Sequence, residues 1–284
     1  MKTYLDCVPC IVRQALDSAR AYSSDVKVQE KILREALGWC SEMDMSAPSP
    51  VTGRKIYGRL YELTGIKDPY LAAKKRQNAM AAGLLPELEK KLKTASDPFA
   101  LAVSIAIAGN IIDMGGAGDV SPEGVRRSLE QALTEPLAGN VKAGDFRKAV
   151  LKAADILYLT DNAGEIYFDR LLIERLGPAP VIVAVRGAPV LNDALFSDAV
   201  AAGIDKTARV IDSGSDAPGT LLNLATPEFL KAFSSADIVI AKGMGNYETL
   251  CDSGRPVYFL FKAKCRMVAE HAGVAVGDHV LLLK

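Results

Sequence analysis

Polar residues suited to holding a metal ion and a phosphoryl group recur at the ends of short apolar runs in the second half of this chain. Asp161 and Asn162 close the run I-L-Y-L-T of residues 156–160, and Arg186-Gly187 leads through the P-V-L of 189–191 to Asn192 and Asp193. Lys242-Gly243 ends another run, and Lys262 and Lys264 end a further one. Carboxylate and amide oxygens are the donors that a hard divalent cation takes, and lysines neutralise charge that grows on a phosphoryl group during transfer. A metal in such a set polarises phosphate oxygens and activates water. Each residue also has a plainer use. An aspartate before an apolar-periodic segment commonly caps a helix, so Asp161 has that alternative, and a single lysine after a strand is ordinarily a solvated end.

The recurrence carries chemistry only if the runs are parallel strands, because their carboxyl ends then share one edge of a sheet and face the crevice where ligands bind. Their composition predicts this. Short segments rich in Val, Ile and Leu begin at Ile156 and recur at Pro180 to Val185, Arg209 to Asp212, Asp237 to Ala241, Val257 to Phe261 and Val280 to Leu283, with helical stretches between most of them. Such alternation implies crossover connections and a mostly parallel sheet covered on both faces. After Asp161 and Asn162, Gly164 and the periodic I-Y-F-D-R-L-L-I-E-R-L mark a tight turn into a helix, whose N-terminus attracts anions.

The first half reads as helices. Ile11 to Ala21, Val28 to Met43 and Arg54 to Leu63 carry apolar residues at three- and four-residue spacing. Thr64-Gly65 stops a helix, and Asp68 as N-cap with Pro69 at the first helical position starts the next. That helix runs over Tyr70 to Leu92, divided near Gly83 and Pro86. Phe99 to Ile112 is almost wholly apolar and too short to span a membrane, so it is expected as a buried central helix. Asn110 and Asp113 lie three apart near its end and share a face. They either point into a site or cap the helix before the G-G-A-G of 115–118. Ser121-Pro122-Glu123 opens another helix, and residues 139–144 offer a boundary. The expected architecture is α/β: a Rossmann-like, three-layer αβα unit with a mostly parallel sheet over 146–284, preceded by an all-helical cap over 1–145.

Composition narrows the classes. In 284 residues, Lys plus Arg and Asp plus Glu are equal at 34 each, so no basic excess argues for a nucleic-acid partner. Asp6 and Pro9 interrupt what a signal peptide would need, and no run approaches the ~18 apolar residues of a membrane span, which points to a cytoplasmic protein. Cys7 and Cys10 form a C-x-x-C, but no second such pair exists and His271 and His279 are the only histidines. A structural or incidental thiol pair is expected ahead of zinc or redox regulation. Two lookalike motifs fail. In the K-G-M-G-N-Y-E of 242–248, Glu248 stands where a dinucleotide fingerprint has its third glycine, and Ala163 stands where a haloacid-dehalogenase-type phosphatase places its second aspartate.

Seven short motifs in order resemble one family: Cys7-x-x-Cys10, T-G-I-K-D-P-Y at 64–70, A-G-N-I-I-D at 108–113, T-D-N-A-G-E at 160–165, L-N-D at 191–193, K-G-M-G-N-Y-E at 242–248 and F-K-A-K-C at 261–265. The sequence resembles the damage-control phosphatases, formerly domain of unknown function 89, and within them the stand-alone archaeal and bacterial branch with an N-terminal C-x-x-C. Met244 departs from the glutamine expected there. The resemblance implies a metal-dependent phosphatase of small phosphometabolites, sugar phosphates or damaged metabolites, using manganese, cobalt, nickel or magnesium. Asp161, Asn162 and Asp193 would then be metal ligands, with Asp161 and Lys264 in catalytic roles, Lys264 on the phosphate. Asn110 and Asp113 would line the substrate pocket from the helical half, joined by Glu165, Lys242, Asn246 and Glu248. Either water or Asp161 would attack phosphorus.

Two other classes compete with this reading. An S-adenosylmethionine-dependent methyltransferase needs a glycine-rich turn after the first strand and an acidic residue ending the second; the chain offers Gly164 alone and Arg186. A non-catalytic metal or phosphometabolite sensor, with Cys7 and Cys10 as a redox handle, predicts binding without turnover.

Overall fold

A computed structural model of the chain describes residues 1–112 and 122–284. Its helices in the first half are Cys7–Tyr22 (α1), Val26–Glu42 (α2), Pro50–Thr64 (α3), Leu71–Thr94 (α4), Pro98–Ala108 (α5), Pro122–Thr134 (α6) and Ala143–Lys152 (α7). There follow Ile156–Leu159 (β1), Glu165–Ile173 (α8), Val181–Val185 (β2), Phe196–Ala201 (α9), Arg209–Asp212 (β3), Pro227–Ser235 (α10), Ile238–Lys242 (β4), Gly243–Leu250 (α11), Tyr258–Lys262 (β5), Arg266–Ala272 (α12) and His279–Leu283 (β6). Asp113, the glycines of 115–118 and Ser121 lie outside the described residues.

The strands form one sheet in the order β3-β2-β1-β4-β5-β6. All neighbouring pairs are parallel except β5 and β6, so the sheet is mixed and mostly parallel. This is the strand order of doubly wound sheets, in which the chain reverses direction across the sheet between β1 and β4 and leaves a crevice at their carboxyl ends. Alternation along β1 explains the layering. Ile156 and Tyr158 join an apolar cluster with α4, α5 and α8 on one face, while Leu157 and Leu159 join α10, α11 and α12 on the other. The first of these clusters is continuous from α4, α5, α6 and α7 into β1, β2, β4 and β5, while α1, α2 and α3 pack in a separate cluster.

Local signals set the helix ends. Asp97 caps α5, its Oδ1 accepting from the Phe99 and Ala100 amides at 3.1 and 3.0 Å with Pro98 in the first turn. The long helix α4 differs from the expectation at both ends of its motif. Asp68 accepts from the Tyr70 amide at 3.0 Å and pairs with Lys74 at 2.6 Å, but the helix itself starts at Leu71. Gly83 and Pro86 do not divide it: α4 is continuous for 24 residues. Leu84, Leu85, Leu88 and Leu92 are buried along one side, and this tertiary burial outweighs the local cost of proline. The apolar segment from Phe99 is helical to Ala108 and tightens into a single 3-10 turn over Gly109–Ile112. Among the described residues, no helix is long and apolar enough to cross a membrane.

Candidate active site

The turn from β1 into α8 builds the centre of the site. Gly164, with φ +73°, is the N-cap of α8, so Asp161 stands three residues ahead of the cap instead of in it. A side chain at 164 would press on Gln77 of α4 at 3.0 Å, and the Gly164 amide donates to Asn78 Oδ1 at 2.7 Å. The turn is thereby clamped to the helical half. On its other side it is stitched to the loop after β2. Asn162 and Asp193 form an antiparallel bridge, the Ala163 amide donates to Asn192 O at 2.8 Å, and the Ala194 amide donates to Asp161 O at 2.8 Å. Leu191 has φ +46°, an uncommon conformation for a branched side chain, and it sets the bend that brings Asn192 and Asp193 beside the turn.

A cavity of about 180 Å³ opens at this edge. Asp161, Asn162, Asn192 and Asp193 line it from the sheet; Asn110, Met244, Gly245, Glu248 and Lys264 line it from the adjoining helices and loops; Gln14, Ser49 and Gly53 come from α1 and the start of α3. Asp161 Oδ2 accepts from Asn110 Nδ2 at 2.9 Å and from Asn162 Nδ2 at 2.8 Å. Lys264 Nζ donates to Asn110 O at 2.7 Å. Asp193 Oδ2 accepts from Arg186 Nε at 2.6 Å, a pair that is almost fully buried.

Three of the residues expected in the pocket lie beneath its wall. Glu165 and Lys242 are fully buried. Lys242 Nζ reaches Glu165 Oε1 at 2.5 Å, Asp169 Oδ1 at 2.6 Å and Ala106 O at 2.7 Å. Glu165 Oε2 accepts from Asn110 and Asn162 at 2.9 and 3.1 Å, so the same two amides bridge Glu165 and Asp161. Burial pushes the Asp169 carboxyl upward despite Lys242, and Glu165 adds to the rise. Asn246 is equally buried. Its Nδ2 donates to Thr160 O and Lys242 O, while its Oδ1 accepts from Arg186 Nη1 and Thr220 Oγ1. Lys262 is placed elsewhere: it is still paired with His279 in the β5–β6 ladder and lines a separate cavity with Glu135. Asp113 lies outside the described residues.

Glu248 shares the cavity and accepts from the Ser49 hydroxyl at 3.0 Å, and burial pushes its carboxyl up to about 7. The sequence places Arg186 and Asn192 among the polar strand ends without a specific role for either, and does not single out Ser49. Asn192 Nδ2 is buried and has no hydrogen-bond partner among the described residues, although Asn192 lines the cavity. The L-N-D motif is the signal that contained it.

The cysteines are free thiols. Burial raises the pKa of Cys7 and of Cys10, which keeps both protonated and weakly nucleophilic. A second group of potential ligands, Cys251, Asp252 and His271, has ligand atoms within 4.8 Å of one another. Cations already serve it: the Met1 amine lies 3.1 Å from Cys251 Sγ and 3.3 Å from Asp252 Oδ2, and Lys284 Nζ lies 3.4 Å from His271 Nε2.

Comparison with known proteins identifies the family and the fold. A damage-control phosphatase of Pyrococcus horikoshii is 34% identical, with 99% of this chain and 98% of the relative aligned. One from Archaeoglobus fulgidus is 35% identical over 96% of each. An uncharacterized protein of Methanocaldococcus jannaschii is 36% identical over 98% of this chain and 94% of its own. The crystal structure of a DUF89 family protein from Pyrococcus horikoshii superposes with a TM-score of 0.88 at 33% identity, covering 99% of this chain and 98% of that one. Residues 3–280 match the Damage-control phosphatase ARMT1-like domain, and the chain belongs to that family.

Proposed function

We propose that this member of the family is a metal-dependent phosphomonoesterase of small phosphometabolites, such as sugar phosphates or damaged metabolites. The observation that carries the reading is the bridge between Asn162 and Asp193, which sets two carboxylates and an amide side by side on one cavity wall. The donor chemistry fits magnesium or manganese, because every ligand offered is an oxygen, and such a set can also take the borderline ions cobalt and nickel. Asp161, Asn162 and Asp193 would hold the ion. When bound, it would polarise the phosphate oxygens.

The chain's own groups complete the site. Lys264 contributes positive charge to the phosphate side of the cavity. Asn192 lines the cavity, and its buried Nδ2, which has no hydrogen-bond partner among the described residues, would serve a phosphate oxygen once turned into it. Asn110 and Asn162 fix the Asp161 carboxylate, and Glu165, ion-paired with Lys242, fixes those amides from beneath. Arg186 orients Asp193. A methyltransferase reading fits poorly, since the residue after β2, where an acidic ribose ligand would stand, is the basic Arg186, paired with Asp193.

The test is phosphate release from sugar phosphates and a chromogenic phosphomonoester by metal-stripped protein given each divalent ion in turn. Ion-dependent activity that disappears in Asp161→Ala and Asp193→Ala supports the reading. Silence of folded, metal-loaded protein across the panel supports a sensor instead. Trapping a phosphorylated Asp161 would identify it as the nucleophile; solvent oxygen entering phosphate without enzyme labelling would identify water.

A further inference from the structure

Hydrolysis of an alkyl phosphate needs a proton for the departing oxygen, and neither the residues that would hold the ion nor Lys264 on the phosphate supplies it. Among the described residues, the ionisable ones lining the cavity are Asp161, Asp193, Glu248 and Lys264. Asp161 and Asp193 are ligands in the proposed function, and Lys264 serves the phosphate and is anchored on Asn110 O.

Glu248 is built differently. It stands one turn beyond Met244 on the face of α11 that looks into the cavity, alongside Gln14 and Ser49 from the helical half. Ser49 occupies the N-cap position of α3 but makes no side-chain capping bond, and its hydroxyl donates instead to Glu248 Oε1. The hydroxyl thus fixes one oxygen of the Glu248 carboxyl at the cavity wall. Glu248 also lines a second cavity of about 430 Å³, shared with Met1, Lys2, Asp252 and His271, which brings solvent to the other side of the residue.

We propose that Glu248, oriented by Ser49, is the proton donor to the leaving-group oxygen; the assignment rests on the phosphomonoesterase reading above. The bond from phosphorus to the ester oxygen breaks with its electron pair moving to that oxygen. The oxygen takes the Glu248 proton and departs as the alcohol. A water oxygen ends on phosphorus, and the proton that this water releases restores Glu248 through solvent. With its carboxyl raised to about 7, Glu248 holds the proton near neutrality and still gives it up readily. The groups facing it are the Met1 amine and Lys2 from the N-terminal segment, Cys7 and Cys10 from α1, Asp252 and His271 across the second cavity, and Asp161, Asp193 and Lys264 across the first.

The experiment compares wild type, Glu248→Gln and Ser49→Ala on phosphomonoesters graded in leaving-group acidity, from glycerol phosphate through p-nitrophenyl phosphate to 2,4-dinitrophenyl phosphate, with saturating divalent ion between pH 5.5 and 9. General acid catalysis is worth about 10²–10⁴-fold. Glu248→Gln should lose kcat on the alkyl ester by a factor in that range, with a loss that shrinks steadily as the leaving group becomes more acidic. The fall of wild-type kcat/KM above about pH 7 should vanish in Glu248→Gln. It should move to higher pH in Ser49→Ala, because the Ser49 hydrogen bond lowers the Glu248 pKa. An equal loss on every ester, or a change in KM alone, overturns the assignment while leaving the phosphomonoesterase standing. Silence of the wild type on all of them overturns both.

Discussion

A Cβ built on Gly243 would fall within the Asp161 carboxylate, because the first residue of α11, at φ +78°, passes directly against the end of the β1 turn. Asp161 is held in place by the Asn110 and Asn162 amides and has to be displaced to admit a methyl group. Gly243→Ala should therefore cost more function than stability. The left-handed backbone penalty is about 1–2 kcal/mol, whereas moving the carboxylate proposed to hold the metal should lower kcat/KM by about 100-fold or more. Urea unfolding and phosphate release measured side by side check this, and unaltered turnover would refute it.

Lys242 is a structural cation. It is fully buried between Glu165 and Asp169, and Lys242→Met strands two carboxylates in the core. Breaking a buried ion pair by removing one partner costs about 3–5 kcal/mol. The expected outcome is a loss of that size in chemical denaturation, partly recovered by adding Asp169→Asn, which removes one stranded charge. A loss near zero would mean that water reaches this network.

The alternation of strand and helix, and the placement of Asp161, Asn162 and Asp193 on one edge, were legible because strand periodicity and polar termination are local signals. The depth of Lys242, Glu165 and Asn246 was not. From sequence, Lys242 is a lysine after a strand, and only the approach of α5 and α8 from distant parts of the chain buries it. Pro86 misleads for a related reason, since its local cost is visible while the burial of Leu84, Leu85 and Leu88 is not. Arg186 and Asp193 are seven residues apart, and their pairing depends on the bend at Leu191, which no residue type there announces.

Asn192 should matter for binding and little for folding. Its buried Nδ2 makes no protein hydrogen bond among the described residues, and an orphaned buried donor costs about 1–3 kcal/mol. Asn192→Ala removes that cost and leaves intact the Asn192 carbonyl that accepts from Ala163. Thermal stability should stay level or rise, while KM for a phosphate ester and Ki for inorganic phosphate rise about tenfold. A fall in stability with unchanged Ki would show that the amide serves the fold.

Glu248 should also leave a mark on stability in the absence of substrate. Its carboxyl lies above the ordinary value of 4.5, at about 7, chiefly through burial, so between these pH values the folded state keeps a proton that the unfolded chain has lost. Stability falls with rising pH wherever the native state binds more protons. The contribution is therefore most favourable below about pH 4.5, is lost progressively up to about 7, and is absent above. Glutamine does not titrate, so the stability difference between wild type and Glu248→Gln should change by on the order of 1–3 kcal/mol across that window, in favour of wild type at the acid end. Urea unfolding of both proteins at pH 5 and pH 8, metal-free, measures it. A difference that does not change between the two would place the Glu248 carboxyl in ordinary contact with solvent and remove the basis for its protonation at neutral pH.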